Sequence, residues 1–297
     1  MERKRIIITG SSGLLGEYLC RFFQRAYEVT GIYYQTLATI KDIRLEKIDL
    51  INEPEKLSLL VKEFQPDIFI NSAGLASVDT CEQEPQTAYE QNVRITENIV
   101  HALEGISSKL VQISTDHLFS GDESYYTEDS SVQPLNVYAQ TKLVSEKIAL
   151  KRPKSIVVRT NYYGGRSLKK ESFSSWIINQ LKKNQTISMF EDVYFTPISI
   201  KGLALNIERL MNSDLDGVYN VSGTQRLSKL EFAEILAEEF NFPKDLIRSS
   251  RINGAHLAAR RPQDMSLSTR KISRDLPDFV EEDVRIGLRK IKDDNLI

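Results

Sequence analysis

Residues 10–16 read Gly-Ser-Ser-Gly-Leu-Leu-Gly, a G-x-x-G-x-x-G pattern between a short apolar run, Lys4 to Thr9, and a segment of helical spacing, Leu14 to Arg25. A strand, a glycine turn and a helix in this order are typical of a dinucleotide-binding loop. The glycines let a pyrophosphate approach the backbone and the helix N-terminus offers N–H groups to it, while Gly16 allows the helix to pack closely on the sheet. The alternative is an ordinary tight turn between a strand and a helix.

Strands and helices alternate through the first 160 residues. Their apolar spacing predicts strands at 4–9, 27–34, 45–50, 67–71, 109–114 and 155–160, and helices at 14–25, 54–64, 84–103 and 135–151. Such an alternation indicates an α/β fold with a Rossmann-like, doubly wound parallel sheet.

The pattern becomes less regular after residue 160, which predicts a second, smaller lobe. Helices are expected there at 173–183, 200–211 and 228–240, the last with a Ser-x-x-Glu start, and a strand at 217–223 is expected to rejoin the main sheet. We therefore predict a dinucleotide-binding domain over residues 1–160, rejoined by about 199–223. Residues 161–198 and 224–297 then form a discontinuous C-terminal substrate-binding lobe.

Composition is that of an ordinary globular protein. The 297 residues are 41% hydrophobic and 27% charged, with a formal net charge of -2. There is no overall basic field for nucleic acid or an anionic membrane, although a small anionic molecule needs only a few local cations. The apolar run Ile6 to Ile8 is too short for a signal-peptide core or a membrane span.

Cysteine and histidine content predicts neither a disulfide nor a metal site. Cys20 and Cys81 are the only cysteines, and Cys20 lies in an apolar run, so two thiols in a reducing cytoplasm are expected. His101, His117 and His256 are scattered, without the ligand spacing of a metal site. No metal and a cytoplasmic location are predicted.

Tyr138 and Lys142 are four residues apart on a predicted helix, so their side chains share a face. A free tyrosine has a pKa of about 10, and a cation about 4 Å away at an effective dielectric near 20 favours phenolate by at most ~4 kcal/mol. This arrangement suits proton transfer. The alternative is a tyrosine and a lysine on the surface of an amphipathic helix.

Three further segments could contribute to the same site. Thr115, in Ser114 to Asp116 at a strand end, is expected to hydrogen-bond a reacting oxygen, unless its hydroxyl only satisfies the strand end. Asn71 to Gly74, also at a strand end, has the small residues of a cofactor crevice. Asn92 either links Lys142 to a water chain or is simply a polar helix residue.

The choice of cofactor depends on the end of the second strand. Tyr33 to Thr36 contains no carboxylate for a ribose, which favours NADP(H) over NAD(H), although no arginine stands there and Lys41 is distant. Asp49, at the end of the third predicted strand, is expected to accept a hydrogen bond from an adenine amino group. Its alternative is a capping or turn carboxylate.

Two residues of the second lobe are candidates for substrate binding. Arg261, beside Arg260 and Pro262, is expected to clamp a diphosphate, because a guanidinium binds phosphate with two hydrogen bonds. Trp176 is expected to face the substrate cleft. The alternatives are a surface arginine and a tryptophan packed in the core.

The order of these motifs resembles the extended short-chain dehydrogenase/reductase superfamily and, within it, the dTDP-4-dehydrorhamnose reductase family. The resemblance runs nearly from end to end, and its marks are Gly10 to Gly16, Asn71 to Ala73, Val78-Asp79, Glu84-Pro85, Asn92-Val93, Ser114 to Asp116 with Phe119, Tyr138 to Lys142 with Glu146, Arg159-Thr160, Thr196-Pro197, Arg261-Pro262 and Ser266-Leu267.

The resemblance implies a reduction in which a nicotinamide gives a hydride to the C4 carbonyl of a nucleotide-linked 4-keto-6-deoxy sugar. It implies that Tyr138 gives the proton, that Lys142 holds the nicotinamide ribose, and that Thr115 completes the catalytic group. His117-Leu118 stands where the family usually has Tyr-Val, Ser120 where Asp is usual, and Tyr162 to Gly165 where a Trp-containing segment is usual. These departures leave the identity of the sugar open.

Two other functions stay open beside the reductase. One is a nucleotide-sugar epimerase of the same superfamily; the other is a cofactor-binding regulatory subunit like that of methionine adenosyltransferase. A 4,6-dehydratase is disfavoured, because His117 follows Asp116 where those enzymes carry a glutamate. The expected partners are a nucleotide-sugar substrate and a second copy in a homodimer, with no nucleic acid and no membrane.

The predicted site residues fall into three groups. The catalytic residues are Thr115, Tyr138 and Lys142. The cofactor-binding residues are Gly10, Ser12, Gly13, Leu14, Leu15, Gly16, Asp49, Leu50, Ser72, Ala73, Gly74, Asn92, Ser114, Tyr138 and Lys142. The substrate-binding residues are Thr115, Asp116, Tyr138, Trp176 and Arg261.

Overall fold

A computed structural model describes residues 3–37, 40–165, 171–255, 257–294 and 296. Its strands are β1 (Arg5–Thr9), β2 (Glu28–Tyr33), β3 (Arg44–Lys47), β4 (Ile68–Asn71), β5 (Lys109–Ile113), β6 (Ile156–Arg159), β7 (Tyr162–Tyr163), β8 (Ile187–Phe190), β9 (Tyr194–Phe195), β10 (Ile198–Ser199), β11 (Gly217–Asn220), β12 (Leu227–Ser228) and β13 (Ile247–Ser250). Its α-helices are α1 (Leu14–Phe23), α2 (Pro54–Phe64), α3 (Val78–Gln83), α4 (Pro85–Tyr89), α5 (Ile95–Ala102), α6 (Val137–Ala149), α7 (Phe173–Lys182), α8 (Ile200–Asn212), α9 (Lys229–Glu239), α10 (Arg270–Asp275) and α11 (Val284–Asp293).

The central sheet has seven strands in the order β11-β6-β5-β4-β1-β2-β3. Strands β1 to β6 pair in parallel. The run 3-2-1-4-5-6 is the Rossmann order, which reverses direction between β1 and β4 and leaves a crevice at their carboxyl ends. The predicted fold class is therefore confirmed, and the strand expected to rejoin the sheet does so as β11.

Three predicted elements were wrong in their bounds, and one of them, the strand expected over 217–223, ends at Asn220 as β11. The helix expected over 84–103 is divided, because a π-helical turn, Glu90–Arg94, separates α4 from α5. The strand expected to reach Leu50 ends at Lys47 as β3, so Asp49 lies in the following turn. Helix α3 lies between β4 and α4 and was not predicted.

Contacts divide the chain into two compact units. Unit 1 comprises residues 1–114, 136–158 and 210–218, and unit 2 comprises residues 115–135, 159–209 and 219–297. The predicted division by function, into residues 1–160 with 199–223 and residues 161–198 with 224–297, stays a prediction.

Each unit has its own apolar core. In unit 1, side chains from β1, β4 and β5 pack with α2 and α5 around the fully buried Phe69. In unit 2, α7, α9 and α11 pack around Phe232, which is fully buried. Its ring centroid lies 5.2 Å from that of Tyr163, 5.5 Å from Phe195 and 5.9 Å from Phe173. Helix α9 begins with the predicted capping box, in which Ser228 and Glu231 bond each other's backbone N–H.

No group of three or more His, Cys, Asp or Glu side chains among the described residues could hold a metal ion, and His256 lies outside them. Within the described ranges no helix combines the length and the apolar character needed to cross a membrane. Cys20 and Cys81 are free thiols, and both side chains are buried, although burial was expected only of Cys20.

We expect Phe232→Ala to lower the free energy of unfolding by about 3–5 kcal/mol, because the substitution leaves a cavity among three aromatic rings. Urea unfolding followed by fluorescence measures the change. The matched control is Leu59→Ala at a side chain that is 65% exposed, where a change within about 0.5 kcal/mol is expected. Equal effects of the two substitutions would contradict the packing described for unit 2.

Candidate active site

The glycine turn after β1 is shaped by close backbone approach. Gly10 has a φ of 67°, in the left-handed region that favours glycine, and accepts a hydrogen bond from Gly13 N at 2.8 Å. A Cβ on Gly16 would lie 2.1 Å from the Gly10 carbonyl oxygen. Gly13 caps α1 without a side-chain hydrogen bond to the first N–H groups of the helix. These observations fit a cradle for the pyrophosphate of a dinucleotide.

A buried polar network, which the sequence analysis missed, ties together the carboxyl ends of β1, β4 and β5. Thr9 Oγ1 donates to Asn71 Oδ1 at 2.7 Å, and Asn71 Nδ2 donates to Gln112 Oε1 at 2.9 Å. Ser72 Oγ donates to the Thr9 carbonyl at 2.6 Å, so the turn after β4 is fixed against β1. A lone threonine, asparagine or glutamine in an apolar run is the only sequence signal of this network.

Lys142 is buried and its ammonium is held at the end of β5. Its Nζ donates to the Ile113 carbonyl oxygen at 2.6 Å. Burial lowers the pKa of Lys142 to about 8, although the charges of Glu146 and Cys81 act in the opposite direction. Tyr138 lies one turn earlier on α6 and is partly exposed. Asn136 caps the helix by accepting from Ala139 N at 2.9 Å.

Ser114 and Asn92, two of the predicted cofactor-binding residues, are engaged within unit 1. Ser114 Oγ donates to the buried Glu146 Oε1 at 2.5 Å. Asn92 lies in the π-helical turn, and its amide bonds to Leu75 N at 2.8 Å, the Leu75 carbonyl at 3.1 Å and Thr141 Oγ1 at 3.0 Å. These contacts fit the alternative of a structural polar residue, and a water-mediated link from Asn92 to Lys142 stays a prediction. Gly74 is confined by the same amide, since a Cβ there would lie 2.6 Å from Asn92 Oδ1.

Asp49 and Leu50 both have structural partners. Asp49 Oδ1 accepts from Ile51 N at 3.0 Å and from Asn52 N at 3.2 Å, which is the turn carboxylate weighed as the alternative. Burial acts to raise the pKa of Asp49, but hydrogen bonds, first that of Asn52, outweigh it and the pKa is lowered. Leu50 belongs to the apolar core of unit 1. An adenine contact at these two residues stays a prediction.

In unit 2, Thr115 and Asp116 form a buried pair. Thr115 Oγ1 donates to Asp116 Oδ1 at 3.3 Å and accepts from His117 N at 3.2 Å. Asp116 Oδ2 accepts from Asn161 Nδ2 at 2.6 Å. Burial raises the pKa of Asp116 to about 6, against the lowering influence of Asn161, Lys229 and Thr115. Asn161 and Lys229 were not predicted, because nothing in their local sequence marks them.

The positive charges of Lys229 and Arg261 affect the pKa values of the groups around Thr115 and Asp116. Lys229 Nζ lies 3.2 Å from the centroid of the Phe195 ring, and burial lowers its pKa to about 8 while Asp116 raises it. Burial, followed by the charges of Arg261 and Lys229, lowers the pKa of His117 to about 3, so the imidazole is neutral near pH 7. The charge of the predicted substrate residue Arg261 therefore acts on a cluster formed by Asp116, His117 and Lys229.

Trp176 lies on α7 beside Phe173, with 6.5 Å between ring centroids, and packs partly buried against the core of unit 2. This contact agrees with the alternative interpretation, in which Trp176 packs in the core and does not face the substrate cleft. Contact of Trp176 with a substrate stays a prediction.

Comparisons with known proteins extend over almost the whole chain. The family described as "RmlD substrate binding domain" matches residues 4–294. The chain is similar to the structure of dTDP-4-dehydrorhamnose reductase from Bacillus anthracis str. Ames in complex with NADP, with 27% identity, a TM-score of 0.87, and 99% of this chain and 100% of that chain covered.

A second reductase structure and a protein of a different description are also similar to this chain. A hypothetical dTDP-4-dehydrorhamnose reductase from Sulfolobus tokodaii is 32% identical, with a TM-score of 0.83 and coverage of 94% of this chain and 98% of that chain. Methionine adenosyltransferase 2 subunit beta of Rattus norvegicus is 27% identical over 278 residues, which are 91% of this chain and 81% of the relative.

We expect the stability of the wild type relative to Lys142→Met to rise by about 1.4 kcal/mol per pH unit between pH 8 and pH 10. The folded protein releases the Lys142 proton near pH 8, whereas an unfolded lysine holds it to about pH 10.4, so the unfolded state binds more protons in this window. Urea unfolding at pH 6.5, 8 and 9.5 measures the difference. A difference that stays constant from pH 7 to pH 10 would contradict the burial of the ammonium.

Proposed function

Because the chain belongs to the RmlD substrate binding domain family of the extended short-chain dehydrogenase/reductase superfamily, we propose that it is an NAD(P)H-dependent reductase of a nucleotide-linked 4-keto-6-deoxy sugar. The observation that carries the proposal is the placement of Tyr138 and Lys142 one turn apart on α6, with the ammonium fixed at the carboxyl end of β5. This is the edge of a Rossmann sheet at which ligands bind.

The proposed reaction uses three side chains of this chain. The bound cofactor supplies a hydride to the C4 carbonyl carbon of the sugar. Tyr138 then gives its phenolic proton to the carbonyl oxygen, while Thr115 hydrogen-bonds the same oxygen. Lys142 holds the nicotinamide ribose, and its positive charge stabilises the phenolate that Tyr138 becomes.

Cofactor binding is assigned to unit 1. The cradle formed by Gly10, Gly13 and Gly16 would hold the pyrophosphate, with Ser12, Leu14 and Leu15 along the same turn. Ser72, Ala73 and Gly74 would line the crevice after β4, and Asp49, Leu50, Asn92 and Ser114 complete the proposed set. The lack of an acid over Tyr33 to Thr36 and the NADP named for the Bacillus anthracis reductase support NADP(H) over NAD(H).

Substrate binding is assigned to Asp116, Trp176 and Arg261 of unit 2, with Arg261 on the diphosphate of the nucleotide sugar. The positive charges of Arg261 and Lys229 support an anionic ligand, because they already lower the pKa of His117. We also propose a cytoplasmic homodimer.

A regulatory role is the second candidate function, and the similarity to methionine adenosyltransferase 2 subunit beta favours it. Such a subunit would bind NADPH and a partner enzyme without turnover. Intact Thr115, Tyr138 and Lys142 support catalysis instead. An epimerase of the same superfamily would use the same residues without net consumption of cofactor, so NADPH consumption with a nucleotide-linked ketone distinguishes the reductase from both.

We expect Tyr138→Phe to lower kcat for NADPH-dependent reduction of enzymatically generated dTDP-4-keto-6-deoxy sugar by about 100-fold or more, because the proton donor is lost. The Kd for NADPH should change by less than about twofold, because the phenol acts on the reacting oxygen. Absorbance at 340 nm, product identification and calorimetry provide the two readouts.

Tyr89→Phe is the control for this substitution. Tyr89 ends α4 in the same unit and is 40% exposed. The control should keep wild-type kcat. Full activity in Tyr138→Phe would refute the proposed proton donor, and tight NADPH binding without turnover by the wild type would favour the regulatory role.

A further inference from the structure

The Thr115 hydroxyl donates its proton to Asp116 and not toward the position proposed for the substrate ketone. A hydroxyl has one proton to donate, and the Thr115 proton lies between Oγ1 and Asp116 Oδ1, which are 3.3 Å apart. The same Oγ1 accepts from His117 N at 3.2 Å. While Asp116 is ionised, its carboxylate therefore competes with a substrate carbonyl for the only proton that Thr115 can offer.

Asn161 makes the two oxygens of Asp116 unequal. Its Nδ2 donates to Asp116 Oδ2 at 2.6 Å, so a hydrogen-bond donor already occupies that oxygen. A proton on Oδ2 would face an N–H group, whereas a proton on Oδ1 faces the Thr115 oxygen. The neutral carboxyl group therefore has its proton on Oδ1.

We propose that Asn161 is a positioning residue that, through Asp116, sets the direction of the Thr115 hydroxyl. With Oδ2 held by Asn161, neutral Asp116 donates from Oδ1 to Thr115 Oγ1, and Thr115 then donates its own proton to the ketone oxygen of the substrate. No proton changes its parent atom in this arrangement; only the hydrogen bonds reverse. The inference rests on the proposed function, in which Thr115 binds the reacting oxygen.

The surroundings of Asp116 raise the pKa of its carboxyl group to about 6, so that it changes its charge between pH 5 and pH 7. Asp116 is 1% exposed, and burial raises its pKa to about 6 although Asn161, Lys229 and Thr115 act to lower it. His117 Nε2 lies 4.0 Å from Asp116 Oδ1, but the imidazole stays neutral above about pH 3. The pKa of Lys229 is lowered to about 8, so its ammonium stays charged below that pH.

Arg261 acts on the same cluster through its charge on His117 and Lys229. Between pH 5 and pH 7 the group of this cluster that changes its charge is therefore Asp116. When Asp116 is deprotonated, the Thr115 hydroxyl again donates its hydrogen bond to the carboxylate and no longer to the ketone oxygen. The proposed reduction should accordingly slow as the pH rises through the pKa of Asp116.

Asp116→Asn tests the orientation of the hydroxyl. The amide oxygen can accept from Asn161, and the amide N–H can donate to Thr115 as the neutral acid would. We expect wild-type kcat to fall about tenfold or more from pH 5 to pH 8, and the fall in Asp116→Asn to be about twofold or less. A carboxylate needed in its ionised form would instead make Asp116→Asn slow at every pH.

Asn161→Leu tests the positioning residue. The substitution removes the donor at nearly constant volume, so kcat at pH 5 should drop by about fivefold, KM for the ketone should change by less than about twofold, and the pH at which kcat is half-maximal should rise. A purely structural role would lower kcat without moving the pH profile, and that result would overturn the proposal.

A second readout works without turnover. Carbon-13 NMR of selectively labelled aspartate, with the Asp116 signal assigned by its loss in Asp116→Asn, gives the pKa of this carboxyl group. Both Asn161→Leu and Thr115→Val should raise that pKa by about 0.5–1 unit, because each removes a donor to the carboxylate. If neither does, the hydrogen-bond chain is wrong whatever the substrate. Raised pKa values without any ketone reduction would support the chain and refute the proposed function.

Discussion

The buried ammonium of Lys142 is the constraint on which the rest of unit 1 depends. A charge removed from water costs several kcal/mol unless hydrogen bonds and an opposite charge compensate for it. The Ile113 carbonyl and Glu146 supply part of this compensation, since burial still lowers the pKa of Lys142 to about 8, and Ser114 in turn holds Glu146. Because Ile113 and Ser114 lie at the end of β5, their hydrogen bonds with Lys142 and Glu146 fix α6 against the sheet and thereby place Tyr138 at the carboxyl edge.

The second constraint is the absence of side chains where backbone segments meet. Gly16 has no space for a Cβ against the Gly10 carbonyl, and Gly74 has none against Asn92. The turns after β1 and β4 can therefore lie side by side, joined by the hydrogen bonds of Thr9 with Asn71 and Ser72. The proposed cofactor cradle follows from this close approach rather than from any charged side chain.

Periodicity predicted the sheet because each strand is a short apolar run between turn signals, and the glycine pattern predicted the tight turn between β1 and α1 for the same local reason. Long-range effects were not predictable. The π-helical turn at Asn92 depends on contacts with Leu75 and Thr141, which are 17 and 49 residues away along the chain. Similarly, the partnership of Asp116 with Asn161 joins residues 45 positions apart, and no local pattern marks it.

The central claim is that unit 1 binds a dinucleotide at its glycine cradle. The most direct test is calorimetric titration of the wild type and of Gly16→Ala with NADPH and with NADH. The account predicts a single class of sites in the wild type, with NADPH bound more tightly. It also predicts affinity at least about tenfold weaker in folded Gly16→Ala, because the added methyl group forces the turn apart. No binding of either nucleotide by the wild type, or equal affinity in folded Gly16→Ala, would contradict it.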